Sequence, residues 1–413
     1  GGGFGVNREQ FNKVTSFLDL SQVYSPSLIR LMSMRSLRNG KLNVDDETGF
    51  LPRNEPLMQV ANPLEKELDK QLLSGDNRAN VHPALLALHT LFHLEHNRIC
   101  DELAVILGSS TGDDEIFQHT RVRLIAKYQA IVYQEWLPAL LGPNLKLKEY
   151  AGYDESLRVE IKNEFATAAA RFGHSQVNDV QMCVEADGST CKNGHLLLRD
   201  SYFNPGRFQS SGMSQLFKGM FSHPAQEIDT LMVDGLRDFL FGSHAFPLDL
   251  ASINIQRGRD HGLADFNTVR VSLGLQRYAR FEDISSDPEV SGKLKSLYKG
   301  KIDNIDLFVG GLAEDHVDQG NLGETFGTII KLQFELLRDG DRFYYENHVE
   351  NGLMTSQEIR DVKGQGLCDI LRRNAWGPDS GFEASVPLAC VNDGEEGLGE
   401  EGETFPFLFV ESE

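Results

Sequence analysis

The sequence predicts a mostly α-helical protein, built as one large helical unit with few short strands and long loops. Several long stretches repeat apolar residues at the spacing of an amphipathic helix. The segments between them are irregular and rich in glycine and proline, and no internal repeat or long linker divides the 413 residues. We therefore expect residues 1–392 to form a single domain, and residues 393–413, rich in glycine and glutamate, to form an acidic tail.

Charge and hydropathy exclude two classes of partner. The chain carries 40 Lys and Arg against 61 Asp and Glu, for a net charge of −21. Such a surface repels phosphate backbones, which argues against nucleic-acid binding. No run of about 18 apolar residues occurs, so the sequence predicts no membrane span.

The N-terminal part of the chain carries a candidate cation site. Oxygen-bearing side chains fall at Thr15, Ser16, Asp19 and Ser21. Together with the carbonyls between them, they are hard-oxygen ligands of the kind that Ca²⁺ prefers. The alternative is a helix N-cap with the aspartate in a turn.

A loop followed by a strong helix comes next. Residues 37–80 are loop-rich and end near Arg78, which by position alone is a surface charge. Residues 83–107 predict a helix, because Pro83 suits a first turn and the apolar residues follow one face. Three histidines lie along this helix at His89, His93 and His96. A zinc site is one interpretation and polar packing under a large core is the other, which the order of the residues favours.

Further helices are predicted downstream, over residues 113–141, 154–172, 226–241 and most of 265–345, with loops at 303–311 and 315–323. The helix predicted over residues 154–172 is followed by His174, which by itself is more often a capping or core residue than a metal ligand. Residues 254–262 lie between the helices predicted over 226–241 and 265–345. They contain two arginines, an aspartate and a histidine around glycines. Asn254 in this cluster is able to accept the N–H of a buried imidazole, while the alternative is an internal salt-bridge turn.

The arrangement of the five cysteines indicates whether the protein folds in an oxidising or a reducing compartment. Cys183 and Cys191 flank a polar turn, Cys368 and Cys390 bracket a C-terminal loop, and Cys100 falls in an apolar helical pattern. Two disulfides and one buried thiol are favoured over a fully reduced chain. This pattern indicates an oxidising compartment and a secreted or extracellular protein.

Several motifs together resemble those of the animal-type haem peroxidase superfamily. The resemblance covers about residues 8–390, and its motifs lie at residues 15–24, 89–98, 171–174, 254–262, 306–314 and 338–347. It implies a haem peroxidase that uses hydrogen peroxide to oxidise halide, thiocyanate or small aromatic donors. The cofactor implied is haem b or a modified haem, with a structural calcium ion beside it.

The resemblance also implies roles for individual residues. His174 would be the proximal ligand of the haem iron, and Asn254 would accept its other N–H. Arg171 and Arg257 would lie near the haem propionates, and Arg78 would be the distal arginine that polarises the peroxide bond. The calcium ligands would be Thr15, the carbonyl of Phe17, Asp19 and Ser21.

This sequence departs from the family pattern at His93-Leu94, where relatives usually carry Leu-Arg, and in two respects that bear on its function. The distal glutamine and histidine of the family have no counterpart in the chain, so we expect them upstream of Gly1, on a separate N-terminal chain, or lost. Val81 stands where the family carries the glutamate that esterifies haem, so that covalent link is not expected. The absence of the distal pair leaves a non-catalytic haem-binding or adhesion module as an alternative. A fatty-acid dioxygenase is disfavoured because Arg171 stands where that branch carries a radical tyrosine.

Overall fold

The computed structural model describes residues 10–55, 58–63, 67–108, 110–242 and 248–376. Helices dominate these ranges, and the longest of them pack around one large apolar core. The α-helices are α1 (Ser21–Tyr24), α2 (Leu28–Met34), α3 (Pro83–Leu107), α4 (Asp113–Ile131), α5 (Leu137–Leu141), α6 (Asn163–Thr167), α7 (Pro205–Ser211), α8 (Met213–Ser222), α9 (Asp234–Arg237), α10 (Leu250–Asp260), α11 (Phe266–Ser272), α12 (Pro288–Leu297), α13 (Leu307–Ala313), α14 (Glu324–Asp339), α15 (Ser356–Lys363) and α16 (Leu367–Asn374). A π-helical turn, Val132–Trp136, joins α4 to α5. Two short strands, β1 (Val180–Gln181) and β2 (Leu196–Leu197), pair antiparallel. The mostly α-helical fold class with few short strands is confirmed.

Helix α3 is the centre of the fold, and its bounds agree with the prediction. His82 caps its N-terminus by accepting the backbone N–H of Leu85, and Pro83 occupies the first turn. Helices α4, α7, α8 and α16 pack around it. None of the helices in the described part of the chain is long and apolar enough to span a bilayer.

The histidines of α3 are packed as buried polar groups. His93 Nε2 lies 2.8 Å from the carbonyl of Asn43, and His96 Nε2 lies 3.0 Å from the carbonyl of Gly40. His89 Nδ1 lies 2.9 Å from the carbonyl of Leu85 in the preceding turn. Each ring is thus oriented by a backbone carbonyl, and the described residues contain no group of three or more His, Cys, Asp or Glu side chains arranged to hold a metal ion, so polar packing is the interpretation that fits.

The helix predicted over residues 154–172 is wrong. Only α6 is α-helical there, and a 3₁₀ turn, Ala169–His174, follows it. The residues before α6 lie against α14 instead, where the backbone N–H of Lys162 donates to Gln333 Oε1 at 2.9 Å. Apolar periodicity cannot reveal such a long-range bond, which here takes the place of a helical one.

Two other predictions were also inaccurate. Residues 226–241 are α-helical only over α9, and the loop predicted over residues 303–311 contains much of α13. In the first case the Asp229 carboxylate accepts the backbone N–H of Leu231 at 2.7 Å. Such a local side-chain bond to the backbone competes with helix formation.

The polar cluster over residues 254–262 lies mostly in the second half of α10, whose first turn is capped by Asp249. Arg259 in that half binds the Asp306 carboxylate through Nε and Nη2, both at 2.8 Å. The cluster is therefore mostly helical rather than a turn, and this salt bridge of Arg259 joins it to a residue outside residues 254–262.

The cysteines follow the predicted pattern as far as the structure describes them. Cys183 and Cys191 form a disulfide directly after β1, and Cys100 is a buried free thiol. Cys368 is also disulfide-bonded. Cys390 and the predicted acidic tail lie outside the described residues.

Candidate functional site

A cavity of about 730 Å³ lies between the N-terminal end of α3, the 3₁₀ turn that ends at His174, β1, α8 and α10. Most of its described wall is apolar, including Val81, Leu85, Leu88, Val177, Met220, Leu240 and Ile253. Gly219 lets α8 approach β1, because a Cβ at this position would meet the carbonyl oxygen of Met182 at 1.9 Å. The polar groups of the wall are few, and His174, Arg78 and Arg257 are among them.

His174 is held from behind by a buried amide. Asn254 is fully buried on α10, and its Nδ2 lies 2.6 Å from Nδ1 of His174. The Oδ1 atom of the same amide accepts a hydrogen bond from Arg171 Nη1 at 2.8 Å, and Arg171 Nε donates to the carbonyl of Ala166 at 3.1 Å. Residues 80 positions apart in the chain therefore form one hydrogen-bonded row, with His174 at its cavity end.

The direction of the bond to His174 differs from the expectation. A guanidinium has donors only, so Arg171 requires the oxygen of Asn254 and leaves its N–H groups facing the imidazole. In this arrangement the amide donates to Nδ1 of His174 instead of accepting from it. Oδ1 has two lone pairs, so it is able to accept from both Arg171 and a protonated Nδ1 if the amide turns.

The two arginines expected near haem propionates are separated by the structure. Arg257 lines the cavity, three residues after Asn254 on α10. Arg171 is buried behind Asn254 and is absent from the cavity wall described here. Its guanidinium donates to Asn254 and to a backbone carbonyl, so Arg171 is placed to orient the amide.

Arg78 lies in the cavity wall and is fixed by its neighbour Asp76. The Asp76 carboxylate accepts Arg78 Nε at 2.8 Å and Nη2 at 2.5 Å, together with the Arg78 backbone N–H at 2.7 Å. Burial acts to raise the pKa of Asp76, but the bonds from Arg78 outweigh it and leave this pKa below its ordinary value. Arg78 Nη1 is buried and has no hydrogen-bond partner in the described part of the chain. It is thus a donor available to a molecule in the cavity.

Two polar residues of the wall escaped the sequence-based prediction. His82 Nδ1 accepts the backbone N–H of Leu85 at 3.3 Å and lies 3.1 Å from Nε2 of Gln181, at the end of β1. Burial lowers the pKa of His82 to about 4, with a contribution from nearby His89, so the ring is neutral at pH 7. Since its Nδ1 is an acceptor, its proton lies on Nε2. The His-Pro pair at the start of α3 was a signal for the cap, but nothing in the sequence linked it to Gln181.

The predicted calcium segment forms two successive turns before α1. Thr15 Oγ1 accepts the backbone N–H of Phe17 at 3.1 Å, and Asp19 Oδ1 accepts that of Ser21 at 3.0 Å. Burial raises the pKa of Asp19 in spite of hydrogen bonds from Ser21 and Thr15. A partly buried carboxylate beside the Thr15 side chain fits a bound cation, which would offset the cost of its burial.

Comparison with known proteins gives consistent results. Residues 2–382 match the family profile described as animal haem peroxidase. Peroxinectin A of Dictyostelium discoideum is 39% identical over 342 residues, which cover 82% of this chain and 63% of that protein. The human peroxidasin homolog is 37% identical over 389 residues, covering 89% of this chain and 26% of that protein. The chain thus spans less than two thirds of the length of these relatives.

Solved structures show the same similarity in three dimensions. Peroxidase A from Dictyostelium discoideum superposes with a TM-score of 0.80 at 35% identity, covering 87% of this chain and 68% of that one. A fatty acid alpha-dioxygenase from Arabidopsis thaliana gives a TM-score of 0.73 at 20% identity, covering 95% of this chain and 66% of that one. At that identity the second match shows a shared fold alone.

Proposed function

The chain belongs to the animal haem peroxidase family, and we propose that it acts as a haem-dependent peroxidase with His174 as the ligand of the iron. The observation that carries this proposal is the row formed by His174, Asn254 and Arg171 at the wall of a large apolar cavity. A histidine that binds a metal is normally oriented by a second group on its other ring nitrogen, and Asn254 is that group here.

The cavity fits the group that the family implies. Its volume of about 730 Å³ lies within the range of about 300–1,000 Å³ typical of ligand and cofactor sites. The apolar walls suit a flat hydrophobic ring system, and Arg257 offers a cation for a carboxylate at its edge. When bound, haem supplies the two-electron redox chemistry with hydrogen peroxide.

The residues of the chain prepare this chemistry. Arg171 holds the Asn254 amide by its oxygen, and the amide in turn fixes the plane of the His174 ring. Since Nδ1 of His174 faces Asn254, Nε2 would be the atom that binds the iron; the proton would then lie on Nδ1, and we propose the Asn254 oxygen as its partner.

Arg78 is proposed to act on the peroxide. Its Nη1 is a buried donor that has no partner among the described residues, and Asp76 holds the rest of the guanidinium in place. A preorganised donor of this kind stabilises negative charge that develops on a peroxide oxygen. An arginine does not exchange protons at neutral pH, so Arg78 is a charge stabiliser rather than a general base.

Substrates, second cofactor and location are also proposals. Hydrogen peroxide is the oxidant, and halide, thiocyanate or small aromatic molecules are the candidate electron donors. The partly buried Asp19 with Thr15, the Phe17 carbonyl and Ser21 supports a structural calcium ion. The Cys183–Cys191 disulfide supports a secreted or extracellular protein. Val81 predicts that haem is not esterified at that position. Acidic organic solvent should therefore extract haem that has no other covalent link.

Substitution of His174 tests the ligand assignment. We expect His174→Ala to bind haem weakly and to lose the haem absorption band of the wild-type protein, because no other wall residue has the Asn254 support. His223→Ala is a matched control, since His223 lines the same cavity without that support. An unchanged spectrum in His174→Ala, or equal loss in both variants, would refute the assignment.

A further inference from the structure

Four of the ten tyrosines of this chain lie together beside the π-helical turn that joins α4 to α5. The tyrosine cluster consists of Tyr133, Tyr150, Tyr344 and Tyr345. The ring of Tyr344 is its centre, with centroid distances of 5.4 Å to Tyr133, 4.9 Å to Tyr150 and 4.7 Å to Tyr345. All three pairs are edge-to-face, so the four rings form one contiguous group of oxidisable side chains.

The cluster connects to the row behind His174 through contacts. Arg171 donates to the carbonyl of Ala166, which is adjacent in the chain to Phe165. The ring of Phe165 lies 5.9 Å from that of Phe334 on α14, and the ring of Phe334 lies 6.1 Å from that of Tyr133. Tyr133 also donates its hydroxyl hydrogen to the carbonyl of Phe334 at 2.9 Å. Packed groups therefore join the proposed iron ligand to the cluster without a gap.

The local backbone is unusual at the point where the cluster begins. Tyr133 and Trp136 both lie in the π-helical turn Val132–Trp136. Such turns are rare within long helices and frequently occur at functional sites, because the extra residue redirects the side chains around it. The ring of Trp136, a second oxidisable group, lies 5.7 Å from that of Phe334.

A proton acceptor is in place at the far end of the cluster. The hydroxyl of Tyr345 lies 3.3 Å from Oε1 of Glu346 and accepts a hydrogen bond from Gln134 Nε2 at 2.8 Å. The Glu346 side chain is partly exposed and is paired with Lys363 Nζ at 2.8 Å. A tyrosine gives up an electron readily only when its phenolic proton has a place to go, and Glu346 provides that place.

We propose that the tyrosine cluster is a second oxidation site, which delivers oxidising equivalents from the haem cavity to electron donors at the protein surface. This inference rests on the proposed peroxidase function. With haem bound and oxidised by peroxide, Tyr345 would supply one electron toward the cavity and its phenolic proton to Glu346, which would leave a neutral tyrosyl radical. A donor at the surface returns one electron, Glu346 returns the proton, and the tyrosine is restored.

The substrate class follows from where the site lies. The cavity of about 730 Å³ suits small molecules that fit beside a haem. The cluster instead reaches partly exposed positions at Tyr150 and Glu346. It therefore suits phenolic groups carried on macromolecules, such as tyrosine side chains of other proteins, as one-electron donors.

The test is electron paramagnetic resonance of the haem-bearing protein, frozen soon after mixing with hydrogen peroxide in the absence of donors. We expect a tyrosyl radical in the wild type and its loss in a variant with phenylalanine at Tyr133, Tyr150, Tyr344 and Tyr345. These changes keep the rings, so the packing remains and only the oxidisable hydroxyls are lost. Tyr153→Phe, at an exposed tyrosine outside the cluster, should keep the signal.

A second measurement compares free tyramine with tyramine linked to dextran, which is too large for the cavity. We expect the ratio of dextran-linked to free tyramine oxidation to fall in the cluster variant and in Glu346→Gln. The second site alone would be overturned if the haem spectrum of the wild type responds to peroxide but no tyrosyl radical forms. An unchanged oxidation ratio in the variants would overturn it equally. A spectrum that does not respond to peroxide would overturn the proposed function and the second site together.

Discussion

Glu95 offers a quantitative test of what holds helix α3 in place. Its carboxylate is fully buried and accepts Arg98 Nε at 2.7 Å, Lys127 Nζ at 2.9 Å and Asn374 Nδ2 at 2.8 Å. It thereby joins α3 to α4 and α16. Arg373 adds a fourth, longer contact at 3.4 Å. Glu95→Gln keeps the shape of the side chain but removes the buried negative charge that faces these cations.

The expected loss of folding stability follows from the balance between the burial of Glu95 and the positive charges around it. Burial by itself acts to raise the pKa of Glu95, but the hydrogen bonds from Arg98 and the charges of Lys127 and Arg98 outweigh it and lower this pKa from 4.5 to about 2. Such a difference between the folded and unfolded chain corresponds to about 3 kcal/mol of stability at neutral pH. Removing one partner of a buried ion pair costs a similar amount, about 3–5 kcal/mol. For a chain of this length, that lowers the melting temperature by about 4 °C.

The assay is thermal unfolding of the wild type and Glu95→Gln between pH 2 and 7. Because the folded pKa is depressed, the contribution of Glu95 is fully present above pH 4.5 and is lost as the pH falls toward 2. The difference between the two proteins should therefore be largest at neutral pH and shrink through this window. Glu102→Gln is the control, since Glu102 pairs with the same Arg98 from an exposed position and should cost less than about 1 kcal/mol. Equal destabilisation by both substitutions, or a difference independent of pH, would refute the reasoning.

Three further predictions concern the site and its supports. Asn254→Ala should weaken haem binding about 10- to 100-fold by releasing the ring of the proposed ligand, measured by haem transfer to an acceptor protein; unaltered retention would contradict it. Asp19→Ala should abolish any gain in melting temperature on adding Ca²⁺, and a gain equal to that of the wild type would remove the calcium proposal. Replacing both Cys183 and Cys191 by serine opens a loop of sequence separation 8 and should cost about 2.5 kcal/mol, or about 3 °C; a calorimetric scan that matches the wild type would contradict this.

Local signals in the sequence were sufficient to predict the bounds of α3. They were insufficient to predict the backbone conformation of the region before His174. The bounds of α3 follow from a proline in its first turn and an apolar stripe, both of which act within a few residues. The segment over residues 154–162 has a similar stripe, yet α14 draws its backbone into long-range hydrogen bonds such as that from Lys162 to Gln333. Periodicity reports which face of a segment is apolar, but not whether a distant side chain competes for its N–H groups.

The candidate site was accessible from sequence only through motifs. His174 and Asn254 are 80 residues apart, and no spacing rule connects them, so the family resemblance supplied the pair. The structure then showed a contact that the sequence does not reveal, because the Arg171 guanidinium donates to the Asn254 oxygen. Neither the contact of His82 with Gln181 nor the tyrosine cluster leaves a pattern in the sequence, since each is formed by elements that meet only in the folded chain.

The central claim is that this chain binds haem through His174 and reacts with hydrogen peroxide. The most direct measurement is the absorption spectrum of the purified protein before and after addition of one equivalent of peroxide. We predict a haem band that shifts on addition and returns when an electron donor is supplied, with the shift slowed in Arg78→Leu. A haem band that peroxide leaves unchanged would contradict the peroxidase function and favour a haem-binding module, while a protein without any haem band would contradict the claim entirely.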